Sequence, residues 1–283
     1  MQNEVKQAQT LNGSTKLTNQ RYDTDCSDKE WEVAEPFLRR QKTAGTPSTL
    51  ELREIFNAIR YLTRSACQWR NMPKDFPKHS SVYYHFRRWC LDGTLELLNT
   101  ALVELDRVRM GRNAKASGAV LDSQSVKTAD ARKDKGYDGG KQIAGRKRHV
   151  VDDTVGHLLK VVVTAADMQD REGAKLAIDA LDASLRASIK KVWADGSYLG
   201  ESFLSYLQST FQGVVTEIAK TPPGQKGFVP VPVRWVVERT FAWLGRYRRL
   251  SKDDERCTKS SEGMIYMASI TTLLRRLAPT TSG

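Results

Sequence analysis

RKRHVVDDTVGHLLKVVVT, residues 146–164, is the stretch on which the fold turns. Two runs rich in valine and leucine, Arg146–Asp153 and His157–Thr164, flank Thr154-Val155-Gly156. β-Branched residues suit a pleated surface, and a short link containing glycine between two such runs predicts a hairpin. Upstream, Ala119–Leu121 is a short apolar strand that ends in Asp122. Downstream, Asp170–Ala187 carries Ala174, Ala177, Ile178, Leu181 and Leu185 at helical spacing, and Ile189–Ala194 is an apolar strand ending in Asp195. A helix over Gly200–Ser209, a strand over Val214–Ile218, a Pro/Gly loop over 221–233, a long helix over Arg234–Leu250 and a last helix near 261–277 complete this half. The order strand, hairpin, helix, strand, helix, strand, helix builds a mixed sheet with helices on its faces, an α/β architecture.

That order is also the element order of an RNase-H-like fold. Ahead of it, the chain reads as all-α. Ser27 with Glu30, and Ser48 with Glu51, fit capping boxes. Leu52, Ile55, Phe56, Ile59 and Leu62 recur on one helical face, Ser80 or Ser81 caps a helix bearing Val82, Phe86 and Trp89, and Leu95, Leu98, Leu102 and Leu105 form another stripe. The predicted organisation is a polar flexible lead-in over 1–24, a helical domain over 25–108, a polar glycine-containing linker over 109–118, and an α/β domain over 119–283.

Lys plus Arg number 45 against 33 Asp plus Glu, a net charge of +12. Basic residues gather at 107–115, 132–135, 146–148 and 239–249, and such clustering points to a polyanion rather than to even solvation. No apolar run is long enough to span a bilayer and the N-terminus carries no secretory pattern, so a cytoplasmic protein without membrane contact is expected. The four cysteines show no disulfide or zinc-finger spacing.

Asp122 and Asp195 each end a predicted strand, and Glu238 lies early in the helix that starts at Arg234. If these elements are neighbours, three carboxylates meet at one sheet edge. Packed carboxylates repel and would retain a proton unless a cation intervenes. Oxygen donors alone suit Mg²⁺ or Mn²⁺, and two such ions can activate a hydroxyl and stabilise the leaving oxygen of a phosphodiester.

The stretches LDSQSVKTAD (121–130), KGYDGGKQIAGRKRHVVDDTVG (135–156), VWADGSYLGE (192–201) and RWVVERTFAWLGRYRRLSKDDE (234–255) resemble the bacterial insertion-sequence transposases of the DDE class. LREIFNAIRYLTRSACQWRNMP (52–73) with VYYHFRRW (82–89) resembles their N-terminal domain. The resemblance implies an RNase-H-like catalytic domain whose Asp122, Asp195 and Glu238 hold two Mg²⁺ or Mn²⁺ ions. It also implies DNA cleavage and strand transfer, with terminal inverted repeats and target DNA as partners, by a homodimer or larger assembly at the bacterial nucleoid. Arg234, at i,i+4 from Glu238, belongs to the same signature, although Val231 and Gly245 replace a tyrosine and a lysine usual there. Expected DNA contacts are Lys127, a clamp of Arg146, Lys147 and Arg148, the helix residues Arg234, Arg239, Arg246, Arg248 and Arg249, and Arg87 and Arg88 in the helical region, where Arg53, Arg60, Arg64 and Arg70 add charge. Trp193, Trp235 and Trp243 are expected in the core. Two other readings share the DNA partner: a nuclease without strand transfer, and a catalytically inactive DNA-binding regulator.

Overall fold

The computed structural model describes residues 21–39, 51–128, 134–219 and 234–279. Among the described residues four helices come first: α1 (Asp28–Leu38), α2 (Leu52–Ser65), α3 (His79–Leu91) and α4 (Thr94–Arg109). The capping box at Ser27 and Glu30 forms as its spacing requires. Ser48 lies outside the described residues, and Glu51 precedes α2 without a side-chain cap. Ile55, Phe56, Ile59 and Leu62 are fully buried, as the stripe predicts. The helix expected after Ser80 begins at His79, one turn boundary earlier.

The sheet contains β1 (Gly118–Lys127), β2 (Gly136–Asp138), β3 (Ile143–Asp153), β4 (Leu158–Ala165), β5 (Lys191–Asp195) and β6 (Val215–Ala219). Strand β3 lies between β1 and β4, antiparallel to both, while β1, β5 and β6 run parallel in that order and β2 pairs with the start of β3. Mixed pairing around a central β1, after an all-α lead, matches the RNase-H-like expectation. Strand β1 is far longer than the apolar triplet suggests. Ser123, Gln124 and Ser125 lack hydrophobicity, yet β3 pairs with them from Ala119↔Asp153 to Lys127↔Gly145.

Among the described residues five helices flank the sheet: α5 (Asp170–Asp179), α6 (Ala183–Ser188), α7 (Glu201–Thr210), α8 (Arg234–Gly245) and α9 (Thr258–Leu277). The single helix expected over 170–187 is broken because Asp182 turns its carboxylate onto the N–H groups of Ser184 and Leu185, capping a new helix. Helix α8 stops at Gly245, and Arg248–Leu250 is a separate 3₁₀ turn. Alternation along the strands assigns the faces. His149 points to α5, whose Gly173 leaves no room for a Cβ, which would fall 2.1 Å from the imidazole. Asp152, on the opposite face, points to α8.

Helix α9 unites the two halves. It packs on α2, α3, α4 and β4. Its Gly263 sits so close to α3 that a Cβ would lie 2.2 Å from Cys90 Sγ. One hydrophobic cluster runs from Ile55 and Phe86 through Met264, Ile265 and Ile270 to Val151 and Val161. The stretch read as a linker is itself anchored: Arg107 donates to the carbonyl of Asn113, and the carbonyl of Ser117 accepts from the N–H of Lys190. The helical region therefore shares its core with the sheet.

Candidate active site

Register places two of the three expected carboxylates. Strands β1 and β5 are parallel neighbours with Val120 opposite Trp193. Two residues further along each strand stand Asp122 and Asp195, on the same face, where neighbouring strands lie about 4.8 Å apart. Both are half-buried. The N–H of Ser123 donates to Asp122 Oδ1 at 2.6 Å. Asp195 caps the 3₁₀ turn Gly196–Tyr198, its Oδ1 accepting from the N–H of Ser197 at 2.9 Å. Local hydrogen bonds thus orient both side chains.

Helix α8 packs across β1 and β5 on that face. Val236, Val237, Thr240 and Leu244 point inward, and Glu238 stands exposed beside them. The three acids therefore share a face, but they do not close on a common point: among the described residues no group of three or more His, Cys, Asp or Glu side chains is close enough to hold a metal ion. The donor set itself fits a hard divalent cation, because it consists of carboxylates on adjoining strands with backbone N–H groups fixing them.

Two buried groups around the pair escaped sequence reasoning. Asp152 lies diagonal to Asp122 on the same face and is fully buried. Burial drives its pKa well up, with further upward pressure from Asp153 and Asp122 and partial relief from Thr240 and Arg239. Tyr198 is equally buried, and burial together with the carboxylates of Asp122, Asp170 and Asp195 raises its pKa well beyond the phenol range. Asp152 was hidden in a strand that reads as apolar, and nothing local distinguishes it from a turn aspartate. On the other face, Ser123 donates to Asp170 at 2.9 Å, and Ser125 binds Asp138. Burial raises the pKa of Asp138, but Ser125, the Lys141 N–H and Lys147 outweigh it and bring the value to about 2.

The basic residues divide by burial. Arg146 is fully buried and donates to Asp253 Oδ1 at 3.2 Å, the Glu255 carbonyl at 3.0 Å and Ser261 Oγ at 3.0 Å. Lys147 is buried against Asp170 at 2.9 Å and Asp138 at 3.4 Å. Arg148 donates to Gln124 at 3.0 Å and the Leu250 carbonyl at 2.9 Å, and burial lowers its pKa to about 10. The expected phosphate clamp at 146–148 is corrected: all three side chains are buried, and each donates to partners inside the protein. Arg249 is likewise buried on Glu255, 2.8 Å away. In the helical region, Arg53 and Arg60 are buried on Asp28 and Glu30. Arg87 is half-buried and donates to Cys257 Sγ at 2.9 Å, and Arg88 is half-buried. Lys127, Arg246 and Arg248 are exposed. Arg234 opens α8, and its side chain lies outside the described residues. Arg239 donates to the Val155 carbonyl at 2.7 Å and lies over the rings of Trp235 and Trp243. Of the three tryptophans expected in the core, Trp193 is half-buried and packs against it, Trp243 is half-buried, and Trp235 is 45% exposed.

Among the described residues no helix is long and apolar enough to cross a membrane. The family model described as the transposase DDE domain matches residues 113–274, and a model described as a transposase of the IS4/5 family matches residues 26–99. A Burkholderia cepacia protein named as a transposase for insertion sequence element IS402 is 35% identical over 112 residues, covering 38% of this chain and 52% of that protein. The chain thus spans about half the length of the curated relative it matches. No solved structure matches.

Proposed function

The chain belongs to the DDE transposases, and from that membership we propose that it is of the IS4/5 group, binds the ends of its insertion sequence and catalyses metal-dependent strand cleavage and strand transfer into target DNA. The observation that carries this reading is the register that sets Asp122 beside Asp195 on the face crossed by the Glu238 helix.

Asp122, Asp195 and Glu238 are the residues that would hold magnesium or manganese, two ions in all. Bound there, the cations supply the positive charge that activates an oxygen nucleophile and stabilises the leaving oxygen of a phosphodiester. The chain's own contribution is orientation. Ser123 and Ser197 fix the two aspartates through backbone N–H groups. Burial raises the pKa of Asp152, which disfavours a further negative charge on a face that already carries three acids. Lys127, Arg246 and Arg248 supply exposed positive charge for phosphates of the terminal repeats and target, and Arg88, Arg234 and Arg239 adjoin them in the proposal. Assembly as a homodimer or larger complex on the DNA, at the bacterial nucleoid, belongs to the same reading.

The test uses oligonucleotides carrying the inverted repeats that flank the gene, incubated with Mg²⁺. Cleavage with joining supports transposition. Cleavage without joining identifies a nuclease, and binding without either identifies a regulator. Asp122→Asn, Asp195→Asn and Glu238→Gln should each abolish cleavage and leave DNA binding in place. Near-normal turnover in any of them would remove that residue from the site.

A further inference from the structure

Helix α4 carries two apolar faces. Leu95, Leu98 and Leu102 are fully buried on the inner one. Leu105, expected to continue that stripe, is 42% exposed instead, and with Leu97 at 61% and Val108 at 58% it belongs to the outer one. Leu97, the half-buried Ala101, Leu105 and Val108 follow at i, i+4, i+8 and i+11, a spacing that keeps them on one side of the helix. Single exposed leucines are ordinary on a protein surface. A stripe at helical spacing is the pattern of a helix that packs on two sides.

Charge along the helix identifies what covers the outer side. Asp92, just before the helix, is exposed, and its Oδ1 accepts from the Thr94 N–H at 3.1 Å and from the Thr94 hydroxyl at 2.6 Å. Arg109, the last residue of the helix, and Arg112 beyond it are exposed as well. Acid at the start and base at the end follow the helix dipole. A surface that is acidic at one end, basic at the other and apolar between complements itself when turned end over end. A two-fold axis near Ala101 lays the acidic end of each copy against the basic end of the other, joins the apolar stripes and sets the helix dipoles antiparallel. The small side chain at the axis permits close approach of the two helices. A parallel second copy would place like charges together. Glu104, half-buried, flanks the stripe at its solvated rim. We propose that the outer face of α4 is the surface on which a second copy of this chain docks, antiparallel about a two-fold axis at Ala101. The proposal rests on the assembly reading above and names its surface; it is independent of the chemistry at Asp122, Asp195 and Glu238.

Sedimentation of the full-length chain without DNA, across micromolar concentrations, tests it. The wild type should dimerise reversibly. Leu97→Glu combined with Val108→Glu puts charge into the seam and should weaken dimerisation about 100-fold, with circular dichroism unchanged because both positions are exposed. Arg112→Glu should weaken it about 10-fold, and adding Asp92→Lys should restore it, a rescue that requires the antiparallel arrangement. If the paired glutamate variant fails to fold, the charge swap decides alone. A wild type that stays monomeric, or a dimer indifferent to both sets of variants, would overturn the interface. A monomeric wild type from which protease removes residues 1–20 more slowly than from the glutamate variant would overturn it in favour of the chain's own N-terminal segment as the cover. Cleavage and joining of DNA by a chain that fails these tests would leave transposition standing, whereas a dimer that behaves as expected but never cleaves would overturn the catalytic reading alone.

Discussion

Arg146 shows why a basic residue beside an expected active site is not thereby a DNA contact. Its guanidinium is fully buried among Asp253, the Glu255 carbonyl and Ser261, so the charge ties the start of β3 to the segment that leads into α9. Arg249 makes the companion bond to Glu255. The acidic run 253–255 supplies the counter-charges for two interior arginines. Removing one partner of a buried pair leaves the other charge uncompensated and costs about 3–5 kcal/mol. Arg146→Ala should therefore lower the urea midpoint sharply. Arg248→Ala, at an exposed position, should leave stability within about 0.5 kcal/mol. On DNA the same exposed variant should reduce the slope of log affinity against log salt by about 0.9 for its lost phosphate contact. A stable Arg146→Ala protein would contradict the interior role, and an unchanged slope for Arg248→Ala would take Arg248 off the DNA.

At the scale of elements, helices α5 and α9 serve the sheet in different ways. Helix α9 guards an edge: Glu262 and the Tyr266 hydroxyl accept from the N–H groups of Val163 and Val161, at 3.1 and 3.4 Å, so β4 does not offer open donors to another strand. Helix α5 covers a face, and His149 is trapped beneath Gly173 with its Nε2 3.0 Å from Thr164 Oγ1. Burial lowers the His149 pKa to about 4, with Asp170 opposing and Lys147 and Lys141 assisting. An imidazole that is neutral when folded but protonates near pH 6.5 when unfolded has a definite sign. The unfolded chain binds the extra proton between those values, so this stability is fully present above about pH 6.5 and is lost as pH falls towards 4. Between pH 7 and 5 the loss from this site should be about 2 kcal/mol. Urea titrations of the wild type and of His149→Gln at both pH values check it: the variant should lack that increment of pH dependence. Equal pH dependence in the two proteins would mean that His149 is not held neutral.

Across the whole molecule, the helical region and the sheet are joined by α9 into one apolar cluster. The join is also polar: His157, in the β3–β4 connection, lies 2.9 Å from Asp106 of α4 and 3.0 Å from Asp153, and Arg107 of α4 pairs with Asp153. Removing α9 exposes the inward faces of α2, α3 and α4 together. A fragment limited to residues 21–109 should therefore show little helical circular dichroism and no cooperative melt, whereas the full chain should lose its helix and sheet signals in one transition. A fragment that melts cooperatively would show that the helices form an independent domain.

The sequence by itself determined the order of the elements other than β2 and the split of α5 from α6, the amphipathic face of α2, the hairpin, the cap at Ser27 and the three acids to examine, because these depend on local periodicity and on residue type at strand and helix ends. Tertiary structure alone decided which charges are buried, that β1 extends through Ser123 and Ser125, that Asp152 is a buried acid with a raised pKa, and that Trp235 is exposed. Those properties depend on what packs from elsewhere in the chain: β3 pairs with a polar strand, α9 closes over Arg146, and nothing described covers the outer indole of α8. Local sequence carries no record of such neighbours, and burial, which sets both charge state and exposure, is a property of the neighbours.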